Sequence, residues 1–373
     1  MSIPFNRPYL TGRELEIIQQ VLESRHLAGN GAFTKKCEGV LEKLTGTKKA
    51  MLVHSCTAAL EMAALLCDLK PGDEVIMPSF TFVTTASAVA LRGAVPVFVD
   101  IRPDTLNIDE KLIEAAITPK TKAISVVHYA GVACEMETIL SIAKKHGLKV
   151  IEDAAQCAGS FYNGRALGSL GDLGAMSFHE TKNVVSGEGG ALLVNNDSLI
   201  LRGEIVREKG TNRTSFLRRE VAFYTWVELG SSYVMSELLA AFLFAQLEHL
   251  EAVTAQRLKI WDYYNDAFAG LEKKGLARRP VIPKECRHNG HIFYLMLNDR
   301  ESREKLISDL KKDGIDTTFH YLPLHISPAG KKYGRAAGDL KLTVKASEGL
   351  IRLPVWPELE HVEKIVSAIH SHI

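Results

Sequence analysis

The stretch VIEDAAQ, which spans residues 150–156, decides how this chain folds. Its apolar start predicts a short buried strand, and Asp153 places a carboxylate where that strand ends. Further along, the stretch SFHETKN (residues 177–183) carries Lys182 just after another apolar run. The glycines of GEGG (residues 187–190) then predict a turn. The sequence therefore predicts a lysine and a carboxylate that both lie beside strand ends.

Short strands and helices alternate upstream of that stretch. Apolar runs predict strands near residues 50–54, 74–77, 95–99, 122–127 and 148–151, with helical patterns between them. This alternation predicts an α/β fold, with a mostly parallel sheet covered by helices on both faces. Ligands of such sheets bind beyond the carboxyl ends of the strands. We therefore expect the polar residues at these ends to converge on one rim, namely His54, Ser55, Asp100, His128 and Asp153.

The chain has 373 residues, a length that suits two domains better than one. The regular alternation of strands and helices ends after two long helical stretches. We therefore predict a large domain at residues 1–250 and a smaller C-terminal α/β domain at residues 251–373. The segment 209–229 is long and charged, and long loops within compact domains are often functional.

The composition argues against several classes of protein. Hydrophobic residues make up 46% of the chain and the net charge is +1, which is typical of a globular protein without a nucleic-acid partner. The N-terminus lacks the apolar core of a signal peptide, and no stretch approaches the roughly 20 apolar residues of a membrane span. The six cysteines are scattered, and His288 and His291 lack a third metal ligand at a recognisable spacing. We expect a cytoplasmic protein with no membrane insertion and no bound metal.

The combination of Lys182 with Asp153 indicates one kind of chemistry. An enzyme that uses pyridoxal phosphate needs a lysine to hold the cofactor's aldehyde as an imine and to move a proton. It also needs a carboxylate that keeps the pyridine nitrogen protonated, so that the ring can accept electrons. Alone, Asp153 would be interpreted as a helix N-cap and Lys182 as a solvated loop lysine. Together they predict a site for pyridoxal phosphate.

Other positions could complete such a site. Ser55-Cys56-Thr57 stands at a strand-to-helix junction, where backbone N–H groups and hydroxyls can bind a phosphate. Ser177 is a second candidate for the phosphate, Phe82 for stacking on the ring, and Gln156 for a hydrogen bond to the ring hydroxyl. Each has a plainer interpretation: a helix cap, a strand-end serine, a core aromatic residue and a solvated glutamine.

Taken together, these motifs resemble the DegT–DnrJ–StrS sugar aminotransferases, fold-type I enzymes that depend on pyridoxal phosphate. The matching stretches are PSFTF (78–82), DAAQ (153–156), SF (177–178), Lys182, GEGG (187–190), MSEL (235–238) and HYLPLH (320–325). The resemblance covers nearly the whole chain. It implies a mostly parallel seven-stranded sheet in the large domain, and a homodimer, or a larger assembly, whose subunits share their active sites.

The resemblance also implies a role for each matching residue. Lys182 would hold the cofactor, Asp153 would face the pyridine nitrogen and Gln156 the ring oxygen. Ser177 and the serine–cysteine–threonine turn would bind the phosphate, and Phe82 would lie against the ring.

The resemblance also suggests residues for substrate contacts, and the chain departs from the family pattern at two positions. Arg213, His320 and His325 are candidates for contacts with the sugar nucleotide or with the carboxylate of the amino donor. Many relatives have glycine where this chain has Cys56. Many also have asparagine at the position of Ser232, where it reaches the phosphate in the neighbouring subunit. Serine is a shorter donor, so a bridging water is the alternative to a direct contact.

Four stretches are most similar to family members that use L-glutamate to aminate C4 of dTDP-4-dehydro-6-deoxy-D-glucose. They are SCTA (55–58), HYAGVACEM (128–136), FHETKN (178–183) and REKGTNR (207–213). The implied product is dTDP-4-amino-4,6-dideoxy-D-galactose, which serves enterobacterial common antigen synthesis. Three alternatives stay open: a sugar aminotransferase with another position or configuration, a pyridoxal phosphate-dependent sugar dehydratase, and a regulator that binds the cofactor without catalysis.

Overall fold

The computed structural model describes residues 2–373. The strands in chain order are β1 (Lys49–Val53), β2 (Glu74–Pro78), β3 (Val95–Val99), β4 (Thr121–Val127), β5 (Lys149–Asp153), β6 (Phe161–Tyr162), β7 (Arg165–Ala166), β8 (Leu173–Ser177), β9 (Gly190–Val194), β10 (Cys286–Arg287), β11 (Phe293–Met296), β12 (Arg335–Ala336) and β13 (Leu350–Leu353). The α-helices are α1 (Glu14–Ser24), α2 (Ala32–Thr45), α3 (Cys56–Leu66), α4 (Val83–Ala90), α5 (Glu110–Ala116), α6 (Met136–His146), α7 (Ile200–Arg207), α8 (Arg213–Leu217), α9 (Glu237–Leu247), α10 (Leu250–Ala267), α11 (Ala269–Lys273), α12 (Arg300–Lys312), α13 (Pro328–Tyr333), α14 (Lys341–Gly349) and α15 (Val362–His372).

The main sheet has the strand order β1-β9-β8-β5-β4-β2-β3-β12. Strand β9 is antiparallel to its neighbours β1 and β8, and all other neighbouring strands run parallel. The expected mostly parallel α/β sheet is therefore confirmed. It holds one strand more than the seven expected, because Arg335 and Ala336 of β12 pair with β3. A two-residue strand has no apolar run that could mark it in the sequence.

Strand β1 shows why helices cover both faces of this sheet. Ala50 and Leu52 pack into a cluster with apolar residues of α1, α2 and α9. Met51 and Val53 pack into a different cluster with residues of α3 and α7. Since successive side chains of a strand point to opposite faces, an all-apolar strand needs a helical layer on each side.

The C-terminal region has a core of its own. Strands β11 and β13 pair antiparallel, with Phe293 opposite Leu353, and pack against residues of α10, α12 and α15. Ile3 joins this core and forms a parallel bridge with Ile315. The segment around Ile3 therefore packs with the C-terminal region, although the sequence assigned it to the large domain. The domain boundary near residue 250 stays a prediction.

Within residues 2–373, no single helix is long and apolar enough to cross a membrane. The stretch Glu237–Leu247 passes that test of length and composition only together with Leu250–Lys273, and the two are bent by 60° relative to each other.

Candidate active site

A cavity of about 370 Å³ lies at the rim where the parallel strands end. Strands β4, β5 and β8 end there with Val127, Asp153 and Ser177. The residues expected from sequence that line this one cavity are Lys182, Asp153, Gln156, Ser177, Ser55, Cys56, Thr57, Phe82 and His320. The fold thus brings together residues that are far apart in the chain.

Asp153 ends β5 and is buried, with 5% of its surface exposed. Thr85 Oγ1 donates to its Oδ2 at 2.7 Å, and the backbone N–H of Ala155 donates to its Oδ1 at 3.2 Å. Thr81 Oγ1 lies 2.9 Å from Thr85 Oγ1, and it must donate there because Thr85 gives its proton to the carboxylate. Burial raises the pKa of Asp153, while the two hydrogen bonds and the nearby Lys182 favour its ionised form. The carboxylate is therefore fixed in one orientation at the cavity.

Lys182 lies half-buried in the loop between β8 and β9. Backbone hydrogen bonds close this loop: Phe178 N–H donates to Gly189 O at 2.9 Å, and Ser186 N–H donates to Phe178 O at 2.7 Å. The N–H of Lys182 itself donates to His179 O at 2.9 Å. Burial lowers the pKa of the Lys182 amine, which increases the fraction that is neutral and can act as a base or nucleophile.

The N-terminus of α3 meets the cavity beside this loop. Ser55 caps the helix, since its Oγ accepts the N–H of Ala58 at 3.1 Å. The backbone N–H groups of Cys56 and Thr57 begin the helix and have no intrahelical acceptor, so this end can bind an anion. Gly190 of β9 packs against the same turn, where a Cβ atom would lie 2.5 Å from the Cys56 nitrogen. Only glycine allows β9 to approach the turn so closely.

Gln156 and Phe82 present complementary surfaces to the cavity. Gln156 Oε1 accepts the N–H of Ala130 at 2.6 Å, and its Nε2 donates to Tyr321 Oη at 3.0 Å. The second hydrogen of Nε2 can serve a ring oxygen. Phe82 is 56% exposed at the N-cap of α4, whereas the nearby Phe80 is 1% exposed and takes the core position. An exposed ring on a cavity wall suits the stacking of a flat group.

Beside the expected His320, the C-terminal region contributes cavity residues to which the sequence assigned no role in the site, among them His291, Tyr321 and Arg352. Arg352 of β13 donates through Nη1 to His320 Nε2 at 2.6 Å, and His320 stacks on Tyr321 with ring centroids 3.8 Å apart. Since a guanidinium only donates, His320 accepts as a neutral ring. His291 Nδ1 lies 2.8 Å from Asn183 Oδ1. Burial and the nearby cations lower the pKa of both histidines, so both are neutral.

Three expected site residues lie outside this cavity wall: two candidates for substrate contacts, His325 and Arg213, and the candidate for the neighbouring phosphate, Ser232. His325 Nδ1 lies 2.7 Å from Ser79 Oγ, which also accepts the backbone N–H of His325, so this ring fastens its loop to the end of β2. Arg213 lies 3.6 Å from Glu208 and is partly exposed. Ser232 is exposed and forms a backbone bridge with Glu208. Contacts of Arg213 and Ser232 with a second subunit stay predictions.

The residues around the cavity fit pyridoxal phosphate. Asp153 can face a protonated ring nitrogen, and Lys182 can hold an aldehyde. The N-terminus of α3 can bind the phosphate. Phe82 offers a flat apolar surface for the ring.

Comparisons with known proteins agree with this chemistry. Residues 8–370 match the DegT/DnrJ/EryC1/StrS aminotransferase family. The chain is 36% identical to the uncharacterized protein MJ1066 of Methanocaldococcus jannaschii, over 98% of this chain and 96% of that protein. It is 34% identical to the spore coat polysaccharide biosynthesis protein SpsC of Bacillus subtilis, over 99% of this chain and 96% of that protein. The pyridoxal phosphate form of Spr1654 from Streptococcus pneumoniae superimposes with a TM-score of 0.91, at 28% identity and full coverage of both chains.

The fold and the paired lysine and carboxylate define a pyridoxal phosphate-dependent aminotransferase. More specifically, the chain belongs to the DegT/DnrJ/EryC1/StrS aminotransferase family, as its motifs indicated. Its cofactor is pyridoxal phosphate. Membership among the sugar aminotransferases implies a nucleotide-sugar substrate and an amino donor.

Proposed function

We propose that this protein transfers the amino group of L-glutamate to C4 of dTDP-4-dehydro-6-deoxy-D-glucose. The products are dTDP-4-amino-4,6-dideoxy-D-galactose and 2-oxoglutarate. The observation that carries the proposal is the meeting of Lys182 and Asp153 in one cavity, which amino transfer requires. The choice of sugar is supported by the stretches HYAGVACEM (128–136) and REKGTNR (207–213), which are similar to enzymes with that substrate.

The proposed reaction divides the chemistry between cofactor and chain. Bound pyridoxal phosphate supplies an aldehyde that joins the amino group and a ring that takes up the electrons of a broken C–H bond. The amine of Lys182 takes the α-proton of glutamate in the first half-reaction. It delivers a proton to C4 of the sugar in the second. The face of that delivery sets the axial amine of the galacto product.

The other cavity residues position the reacting groups. Asp153, held by Thr85, keeps the ring nitrogen protonated. Gln156 would donate to the ring oxygen of the bound cofactor, and Phe82 would offer its face to the ring. Ser177 and the N-terminal turn of α3 hold the phosphate.

We further propose that two copies of the chain form a homodimer with shared active sites. The 209–229 segment exposes large apolar side chains, among them Phe223 with 81% and Trp226 with 72% of their surface exposed. Burial of such a surface favours association. Arg213 and Ser232 lie in or beside this segment and would reach the site of the partner subunit.

The proposed setting is the cytoplasm, in the synthesis of a surface polysaccharide such as enterobacterial common antigen. The cysteines form no disulfide among the described residues, as is usual in a reducing compartment. The relative SpsC is named for the synthesis of a spore coat polysaccharide, which supports a polysaccharide role.

Purified protein offered glutamate and a panel of nucleotide 4-keto and 3-keto sugars tests this proposal. We expect the dTDP-linked 4-keto-6-deoxy sugar to react fastest, and proton NMR of the product to show an axial amine at C4. An equatorial amine, or a preference for a 3-keto sugar, would assign the chain to a different reaction of the family. Loss of water without amine transfer would indicate a dehydratase.

A further inference from the structure

His291 is a buried histidine of the cavity that has no part in the reaction described above. It lies two residues before β11, has 5% of its surface exposed and lines the same cavity as Lys182. Burial and the surrounding positive charges, with Lys182 first among them, lower the pKa of His291 well below its ordinary value. The ring is therefore neutral, and one of its two nitrogens carries no proton.

The hydrogen bonds of Asn183 decide which nitrogen that is. Asn183 Nδ2 donates to the backbone oxygen of Asn289 at 3.0 Å, so its Oδ1 faces His291. That oxygen can only accept, and it lies 2.8 Å from His291 Nδ1, which must therefore carry the proton. Asn289 is itself fixed, because its Nδ2 donates to the backbone oxygens of Gln156 and Ala158, each at 2.9 Å. The folded chain thus holds His291 in a single tautomer, with an unprotonated Nε2.

The unprotonated Nε2 faces the cavity without a partner. Among residues 2–373 no group donates to it, and unlike the unpartnered Nε of Arg352 it is not fully buried. Its open side is therefore the cavity, which His291 lines. When a ligand fills the cavity and displaces water, this acceptor needs a donor on the ligand, because leaving it unpaired costs free energy.

Few groups of the reactants can supply that donor. The cofactor phosphate and the carboxylates of glutamate only accept, and the ring nitrogen and ring oxygen of the cofactor are assigned to Asp153 and Gln156. The amino group of glutamate becomes joined to the cofactor. The hexose, in contrast, carries hydroxyl groups that can donate. The amine of Lys182 is the competing donor.

We propose that His291 determines specificity for the sugar, with its Nε2 accepting a hydrogen bond from the hydroxyl at C3. This inference rests on the proposed function. Lys182 acts at C4, and its charge reaches the ring of His291, so the hydroxyl on the adjoining carbon is the donor best placed to meet Nε2. An acceptor of this kind favours a free hydroxyl and disfavours a sugar in which that hydroxyl is missing.

Equilibrium binding of unreactive sugars measures this contact without turnover. dTDP-6-deoxy-D-galactose has a hydroxyl at C4 in place of the ketone and cannot accept an amino group, and its 3-deoxy analogue lacks the hydroxyl in question. Calorimetry on the cofactor-bound parent should show about five- to tenfold weaker binding of the 3-deoxy analogue, the value of one hydrogen bond to a buried acceptor. Equal affinities for the two sugars would overturn the proposal with the parent protein alone.

Two variants separate the roles of the two ring nitrogens. H291N keeps a donor for Asn183 near the position of Nδ1 but removes Nε2, so the preference for the hydroxyl should fall to about twofold or less. H291Q places an amide oxygen near the position of Nε2 and should keep part of the preference. H26N, at an exposed histidine just after α1, is the control and should match the parent. Thermal melting checks that the variants fold, and an unchanged preference in folded H291N would overturn the proposal.

Single-turnover absorbance changes of the cofactor separate the hydroxyl from Lys182, which takes part in both half-reactions. In H291N, kcat/KM for L-glutamate should change less than about twofold. For dTDP-4-amino-4,6-dideoxy-D-galactose, which starts the reverse of the second half-reaction, it should fall at least about fivefold. Equal losses would assign the acceptor to Lys182 and overturn the proposal. Failure of the proposed function has a different signature, because the parent protein would then respond to glutamate but not to this amino sugar.

Discussion

The cavity at the rim of the sheet and the 209–229 segment depart from ordinary burial in opposite directions. The cavity buries or half-buries Asp153, Lys182 and Arg352, which in most proteins would lie at the surface. The segment exposes Phe223 and Trp226, which would usually be covered. Buried charge without full compensation indicates a charged ligand, and an exposed apolar surface indicates a protein partner. The two regions thus indicate two different kinds of binding in one chain.

The largest effect is expected at the centre of the cavity. Lys182→Ala removes both the amine that holds the cofactor and the group that moves the proton. We expect turnover with glutamate to fall by about 10⁴-fold or more. Lys111→Ala, at an exposed lysine on α5, is the control and should retain full activity. Borohydride reduction followed by peptide mass spectrometry should place the cofactor on Lys182, and cofactor found on another lysine would contradict the assignment.

The second largest loss of activity is expected on substitution of Asp153, the carboxylate of the cavity. Asp153→Asn keeps the shape and can still accept from Thr85, but it removes the negative charge that faces the ring nitrogen. We expect kcat to fall at least about a hundredfold, a size typical of losing one preorganised electrostatic contact. Asp316→Asn, at an exposed aspartate, should leave kcat unchanged. Near-parental kcat in Asp153→Asn would mean that another group serves the ring nitrogen.

The exposed segment should show a smaller effect, and one of a different kind. Exchange of Phe223 and Trp226 for serine removes the apolar surface without disturbing a buried core. If the segment is the dimer interface, the dimer dissociation constant in sedimentation equilibrium should rise about 30-fold or more. Leu15→Ser, on the equally exposed Leu15 of α1, should not change it. A sedimentation profile identical to that of the parent would remove the segment from the interface.

Buried ionisable groups also predict a pH dependence that an apolar surface cannot have. Burial lowers the pKa of His288 to about 4, and its ring packs 4.5 Å from that of Trp261. Between pH 6.5 and 4 the unfolded chain binds a proton at this residue and the folded chain does not, so acidification favours unfolding. At pH 5 we expect a loss of about 1 to 2 kcal/mol relative to pH 7.5, after allowing for partial exposure of the ring. Urea unfolding of the parent and His288→Gln should show the difference, and identical pH profiles would argue against it.

The smallest effect is expected at Ser232, where the region beside the 209–229 segment would reach the cavity of the partner subunit. Ser232 stands where many relatives have an asparagine that reaches the neighbouring phosphate. Ser232→Asn should strengthen cofactor binding about three- to fivefold, the value of one added hydrogen bond. Ser232→Ala should change it less if a water bridges the gap. The dissociation constant of pyridoxal phosphate measures both, and an unchanged constant in Ser232→Asn would place the residue away from the phosphate.

The site residues that the sequence predicted lie next to features that can be recognised in the sequence itself. Lys182, Asp153 and Gln156 each follow an apolar run, and the ends of parallel strands meet at one rim. Arg352 reaches the same cavity from near the end of the chain. Its only local signal is a charge within the apolar strand LIRL (residues 350–353). Burying such a charge costs free energy unless the charge is paired or hydrogen-bonded.

Two further features of the structure could not be predicted from the local sequence. His320 and His325 belong to one short motif, and nothing in the sequence tells which lines the cavity. The structure separates them, because His320 stacks on Tyr321 while Ser79 holds His325. The pairing of Ile3 with Ile315 joins the N-terminal segment to the C-terminal region, and such distant contacts leave no periodic pattern.

Gly190 has a consequence for the order of events in folding. It pairs with Val53 at the end of β1 and with Ser177 at the end of β8, so it joins the helix turn after one strand to the lysine loop after the other. Val53 and Gly190 are far apart in sequence, and contacts between such distant residues form slowly. The cofactor pocket therefore does not exist until β9 has inserted between β1 and β8. Cofactor added during refolding should leave the early phases unchanged and accelerate only the phases that come after strand insertion.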